Sequence, residues 1–300
     1  MMRIAIAGAT GLIGHAAAAR LAAGGHSLVR IGRGEGNEIR CDLRQPDDLP
    51  ADALAGCEAL IHAAGVTDED FGDAQSAYAK AIFGSMALAA AARRAGVARI
   101  VYVSSAHVYG PLEGRIDEAC PPNPISDYAI AHFAAEQVFR RWALETGGAA
   151  LLLRPCAVFG MPPSVERFAR WSLIPFDFPR QALGGRIVLK TPGTQRRNFV
   201  AAGGLAGLIG GWLGQAGRGV QVHNAAGDQE MTVYDFALRC VAIAREESGR
   251  ECVVERPAPA VDPVPFLYAT RDGSRVSDGS LDEHARDLMR VLIQDRKAKA

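Results

Sequence analysis

Apolar positions in the first half of the chain fall in short, dense runs and do not alternate with polar ones. Residues 4–7 are all apolar, and comparable runs recur at 26–31 (HSLVRI), 59–63 (ALIHA), 99–104 (RIVYVS) and 150–153 (ALLL), with a shorter one at 39–43 (IRCDL). Dense runs of this length suit strands covered on both faces, as in parallel sheets. Between them lie segments that predict helices: an Ala-rich stretch at 15–23, a short one at 47–54, and two long ones at 77–95 and 128–145. Gly96 closes one long helix and Gly147-Gly148 the other. Strand and helix in alternation predict an α/β fold, a Rossmann-type doubly wound parallel sheet with helices on both faces.

The second half is less regular. Pro, Gly and aromatics crowd residues 161–192, and strand character returns only at 187–189 and 220–223. A helix is expected from Thr232, residues 257–279 read as loop, and an amphipathic helix over 281–295 follows Ser280 as cap. The organisation predicted is a dinucleotide-binding domain over 1–155, with returning segments near 190–225, and a small C-terminal substrate lobe formed mainly by 156–300.

The first strand runs directly into GATGLIG, with glycines at Gly8, Gly11 and Gly14. Strand, glycine turn and helix in that order suit a loop that cradles a dinucleotide pyrophosphate. Gly8 permits the tight turn, Gly11 lets backbone approach the phosphates, and Gly14 lets the helix pack close to the strand. Thr10, Leu12 and Ile13 complete the loop, and the helix N-terminus offers free N–H groups and the positive end of its dipole.

Composition narrows the classes. The 33 basic and 33 acidic residues balance, which argues against nucleic acid or an anionic membrane as partner. No apolar stretch reaches the roughly 18 residues of a membrane span. The six cysteines are scattered with no CxxC pair, and no zinc spacing or GxSxG elbow occurs. Reduced packing thiols, no metal and a cytoplasmic setting are therefore expected.

Five blocks in order, GATGLIG, VYVSSAHVYG, PISDYAIAHFAAEQ, LLLRPCAVFG and TQRRNFV, resemble the extended short-chain dehydrogenase/reductases, the group of NAD-dependent epimerases and dehydratases. The resemblance covers about residues 2–245. It implies a nicotinamide cofactor and a serine–tyrosine pair at Ser105 and Tyr128, with the tyrosine as acid/base. A phenol near pKa ~10 can exchange a proton with a substrate hydroxyl or carbonyl if nearby positive charge lowers that value. The family's lysine, four residues after the tyrosine, is replaced here by His132, an altered ribose contact and proton relay. The family's helix asparagine is replaced by Ala81, and Lys80 beside it projects about 100° away around the helix.

The resemblance further implies an adenine contact at Asp42-Leu43, a small-residue turn beneath the cofactor at Ala63-Ala64-Gly65, and a contact at Pro155. At the end of the second strand Gly32-Arg33 stands where an acidic residue would bind the ribose hydroxyls of NAD. Arg33 can pair with a 2′-phosphate, which favours NADP over NAD; the alternative is a solvated loop charge. Arg197 matches the arginine that holds a nucleotide diphosphate, the alternative being a surface strand arginine, and His107 takes a position near Ser105 that suits either the pocket lining or packing beside the helix. Against a nucleotide sugar stand Ala157, in place of a phosphate-binding asparagine, and Gly203-Gly204, in place of two acids. Helices 77–95 and 128–146 carry apolar residues on more than one side, which suits a homodimer built as a four-helix interface. A binding protein that holds NADP(H) without turnover, as sensor or partner subunit, is the competing expectation.

Overall fold

The computed structural model describes residues 1–258 and 264–299. The chain opens with β1 (Arg3–Ala7), α1 (Leu12–Ala23), β2 (Ser27–Gly32), the two-residue β3 (Ile39–Arg40) and β4 (Ala59–His62). Next come α2 (Ala74–Tyr78), a π-turn at Ala79–Phe83, and α3 (Gly84–Arg94), followed by β5 (Arg99–Val103). A short β6 (Gly114–Ile116) precedes α4 (Asp127–Thr146), β7 (Ala149–Pro155) and β8 (Ala157–Phe159). The remainder comprises α5 (Ile174–Ala182), β9 (Arg186–Val188), β10 (Arg196–Ala201), α6 (Ala202–Leu213), β11 (Gly219–Ala225) and β12 (Gln229–Thr232). It ends with α7 (Val233–Ser248), β13 (Val253–Glu255), β14 (Phe266–Tyr268) and α8 (Leu281–Lys299).

Seven strands form one parallel sheet in the order β11-β7-β5-β4-β1-β2-β3. The apolar runs are buried because helices cover both faces. Ile4, Ile6, Val101 and Leu151 point toward α1 and α6, while Leu60, Tyr102 and Leu152 meet Leu88 of α3 and Phe139 of α4. The strand order reverses between β1 and β4, which opens a crevice at their carboxyl ends where open α/β sheets bind ligands. The second core, built by α5, α7, α8 and β8–β10, holds Phe178, Phe199, Phe236 and Met289.

Several expectations are corrected. The helix expected at 47–54 is a single 3₁₀ turn, Pro46–Asp48, since Pro50 and Gly56 deny it length. The strand expected at 39–43 shrinks to Ile39–Arg40, and that at 187–189 leaves the main sheet to pair with β13. The loop expected at 257–279 contains β14, which pairs in parallel with β6 and buries Tyr268 completely; residues 259–263 of that stretch lie outside the described residues. The cap at Thr232 is present as a capping box with Asp235, and Gly147 ends α4 in the left-handed conformation. Among the described residues no helix is long and apolar enough to cross a membrane.

Candidate active site

The glycine loop is built by close packing on two sides and left open on the third. Gly8 has φ +85°, and a Cβ there would stand 2.7 Å from the Ala64 nitrogen and 2.8 Å from the Ala63 carbonyl. A Cβ at Gly14 would collide with the Gly8 carbonyl. At Gly11 the nearest atom to such a Cβ is 3.4 Å away, an ordinary contact, so backbone approach remains open above it. Thr10 and Gly11 are exposed, Leu12 and Ile13 half-buried. Ala63, Ala64 and Gly65 form the turn after β4, against Gly8 on one side, while a Cβ at Gly65 would come 2.8 Å from the His132 ring. Pro155 ends β7 and is buried. These residues fit an extended dinucleotide lying across the sheet edge.

At the outer end of the cradle Arg33 is exposed and forms no hydrogen bond or ion pair among the described residues. Asp42 is held by Arg44 through a paired contact of 3.1 and 2.6 Å, and that guanidinium lowers its pKa. Leu43 is buried against Gly84, the residue that opens α3.

Ser105 and Tyr128 both lie against His107 past the end of β5. Ser105 caps the turn at Ala106–Tyr109, its hydroxyl accepting from the His107 amide at 3.2 Å. Tyr128 occupies the first turn of α4, whose start is fixed by Ser126 accepting from the Ala129 amide. Burial raises the Tyr128 pKa, while Ser105 and Arg170 work in the opposite direction. The His107 ring stands edge-on to Tyr128 with centroids 5.9 Å apart. His107 is exposed at its outer side, and partial desolvation of the ring together with the Arg197 charge holds it below its ordinary pKa. Arg197, on β10, is half-buried and donates to the Arg196 carbonyl at 2.9 Å.

His132 lies one turn below Tyr128, with ring centroids 4.5 Å apart. Its Nδ1 is 2.8 Å from the Tyr102 hydroxyl and its Nε2 is 3.3 Å from the Val66 carbonyl. The carbonyl can only accept, so Nε2 carries the proton and Nδ1 accepts from Tyr102. Burial pushes the pKa of this ring down to about 4, so it is neutral near pH 7. The ribose contact and proton relay expected of His132 therefore meet a ring with both nitrogens engaged inside the protein. Lys80 is tied to Asp70 at 2.8 Å, and Ala81 is buried within the π-turn.

Sequence reasoning missed three features. Arg170, in the aperiodic segment between β8 and α5, carries a charge that works to lower the Tyr128 pKa, and its Nε is buried with no hydrogen-bond partner among the described residues. Arg154 and Glu136 form a fully buried ion pair at 2.8 and 2.6 Å behind the site, with Arg154 4.7 Å over the Tyr109 ring. Third, Asp278 and Val276 pack against Gly203 and Gly204, leaving no room for larger side chains at those two positions.

A profile of the NAD dependent epimerase/dehydratase family matches residues 4–215, which span the glycine loop, both hydroxyls and Arg197. The chain belongs to this family. Among curated relatives, an N-acetyl-alpha-D-glucosaminyl-diphospho-ditrans,octacis-undecaprenol 4-epimerase of Escherichia coli O157:H7 is 27% identical over 185 residues, 61% of this chain and 53% of that protein. The chain spans about half the length of the curated relatives it matches first. Among solved structures, MoeE5 in complex with UDP-glucose and NAD superposes with a TM-score of 0.81 at 21% identity, over 98% of this chain and 99% of that one. RMD from Pseudomonas aeruginosa, complexed with NADPH, gives 0.76 at 23% identity, over 97% and 98%. At these identities the structural likeness speaks for the fold of this family member.

Proposed function

We propose that this family member is an NAD(P)-dependent oxidoreductase or epimerase/dehydratase acting on a hydroxyl or carbonyl of a small, nucleotide-linked, sugar-like substrate. The observation that carries the reading is that Ser105 and Tyr128 both stand against His107, beside an open glycine cradle. Gly8, Thr10, Gly11, Leu12, Ile13 and Gly14 would hold the pyrophosphate, Leu43 and Asp42 the adenine side, and Ala63, Ala64, Gly65 and Pro155 the floor. The cofactor would supply hydride chemistry. Tyr128 moves the proton at the substrate oxygen, and Ser105 holds that oxygen in place. His107 and Arg197 line the substrate side, where a guanidinium fork suits a diphosphate.

NADP is favoured over NAD because Arg33 is exposed and makes no hydrogen bond or ion pair among the described residues, while Asp42 is engaged by Arg44. Structural neighbours include complexes with each cofactor. A homodimer through helices 77–95 and 128–146 is supported by Phe83, Met86 and Ile130, all large, apolar and exposed. The free cysteines suit a reducing, cytoplasmic setting.

The test is paired. Titration with NADPH and NADH should show tighter binding of NADPH, and Tyr128→Phe should lower turnover by about 100-fold or more without weakening that binding. Equal turnover by the Phe variant would remove Tyr128 from the chemistry. The neutral, fully bonded His132 and the buried Ala81 favour one second reading, a protein that binds NADP(H) and turns over slowly or not at all. Restoring both family residues, His132→Lys with Ala81→Asn, separates the two. A large gain in turnover supports the impaired binder; a loss supports a site retooled around His132.

A further inference from the structure

The turn after β4 forms the floor of the proposed cofactor site, and its backbone has few anchors of its own. On one side the Ala63 amide donates to the Ala7 carbonyl at 2.8 Å. On the other, the Thr67 amide donates to Asp70 at 2.8 Å, and Asp70 is held by Lys80. Between those anchors, residues 64–66 take part in one hydrogen bond among the described residues, from His132 Nε2 to the Val66 carbonyl at 3.3 Å. We infer that His132 is a positioning residue for the cofactor, fastening the Ala63–Val66 turn to α4. This rests on the reading of the glycine loop and this turn as a dinucleotide cradle, and it gives His132 a task other than ribose contact or proton relay.

The ring is built into its place. Its Nδ1 accepts from the Tyr102 hydroxyl at 2.8 Å, and that hydroxyl makes no other hydrogen bond among the described residues. Tyr102 is held in this direction because its ring is buried against His62 and Phe139, with centroids 5.2 Å from each. A phenol that donates to Nδ1 leaves the single ring proton on Nε2, where the Val66 carbonyl needs a donor. On the turn itself Gly65 lets the ring close in, since a Cβ there would stand 2.8 Å from the His132 Cε1 atom. Contact then runs on to the glycine loop, for a Cβ at Gly8 would come 2.7 Å from the Ala64 nitrogen. One path of contacts thus joins Tyr102, His132, the turn and the first glycine of the loop.

The two residues that depart from the family pattern meet at Val66. His132 bonds its carbonyl, and Ala81 packs with Ala77 and Ala131 in the buried cluster around its side chain. A lysine at 132 could not accept from Tyr102, and it would set an ammonium beside that apolar cluster. A larger polar residue at 81 would enter the cluster itself. The pair therefore acts as one change: an imidazole fixes the Val66 carbonyl, and a methyl group leaves room for the Val66 side chain.

The experiment compares the full-length protein with H132M, H132Q and Y102F. Imidazole nitrogen NMR reads the tautomer of His132, and amide hydrogen exchange reads the opening of residues 64–66. NADPH titration by nicotinamide fluorescence reads affinity, well below the Tm of each folded variant. The unsubstituted protein should show a neutral His132 protonated on Nε2. H132M should speed exchange in the turn and weaken NADPH binding by about tenfold or more, because a buried carbonyl loses its donor. H132Q, which keeps an N–H at similar reach, should recover most of both, a pattern that a loss of general stability would not give. Y102F removes the partner of Nδ1 and should fall between the parent and H132M; it carries the test if H132M does not fold. A ring protonated on Nδ1, H132M binding NADPH within about twofold of the parent, or H132Q no better than H132M would each overturn the inference. Failure of the unsubstituted protein to bind either NADPH or NADH defeats the cradle reading instead, and the tautomer and the exchange of the turn then decide whether His132 fastens it.

Discussion

At the scale of single residues, the site is set by which hydrogens each side chain can give. His132 is held neutral by a carbonyl on one nitrogen and a phenol on the other, and His62 sits fully buried with its Nε2 3.3 Å from the Ser85 hydroxyl. Burial pushes His62 down to about 3 and His132 and His284 to about 4. In the unfolded chain these rings titrate near ~6.5, so between those values the unfolded state binds more protons than the folded one. Stability is therefore full above about pH 6.5 and is lost as pH falls toward 4. Thermal melts across that window should show Tm falling with acid, and His132→Gln should make the fall shallower. A Tm that stayed level down to pH 4 would contradict the neutral assignments. Ser105 and Tyr128 were legible from sequence because each lies in a compact motif beside a strand end or a helix cap. Arg170 was not, since nothing in its aperiodic neighbourhood signals that its charge acts on Tyr128.

Elements explain why some residues that look alike tolerate change differently. The three loop glycines predict a graded outcome. Gly14→Ala drives a methyl into the Gly8 carbonyl and should destabilise the fold, whereas Gly11→Ala meets nothing closer than 3.4 Å. The Gly11 variant should melt within about 1 °C of the parent, as expected for a change outside the core. Its NADPH affinity should nevertheless fall by about tenfold or more, because the methyl occupies the approach to the phosphates. Affinity retained with an intact fold would show that the cradle is a structural turn. Dense apolar runs made the central strands readable, and the glycines at 96 and 147 marked where helices stop. The π-turn at Ala79–Phe83 carried no such mark, since its composition suits an ordinary helix. β14 was unreadable because three residues inside a Pro-, Asp- and Gly-rich stretch pair with β6, a partner too distant in sequence to leave a local pattern.

At the scale of the whole molecule, the main-sheet side encloses an ion pair between α4 and β7. The Arg154–Glu136 pair is fully enclosed, so Glu136→Gln leaves a guanidinium uncompensated and should cost about 3–5 kcal/mol in denaturant unfolding. The apolar face of α3 and α4 belongs to this scale as well. Phe83→Glu with Ile130→Glu should convert a dimer into monomer by light scattering without lowering Tm; an unchanged mass would place the interface elsewhere.

The end of the chain also reaches back. Tyr268 donates to the Arg154 carbonyl at 2.7 Å, and Leu281, Ala285 and Met289 of α8 complete the core around Phe236. During synthesis at about 5–20 residues per second, the strands of the main sheet emerge seconds before these partners do. For that interval the nascent protein has the sheet that forms the glycine cradle, but the ceiling over Arg154 and the packing behind Phe236 are still missing. A ribosome stalled near residue 257 should therefore display an ordered amino-terminal half and a sticky, protease-sensitive lobe, the form on which a chaperone would act.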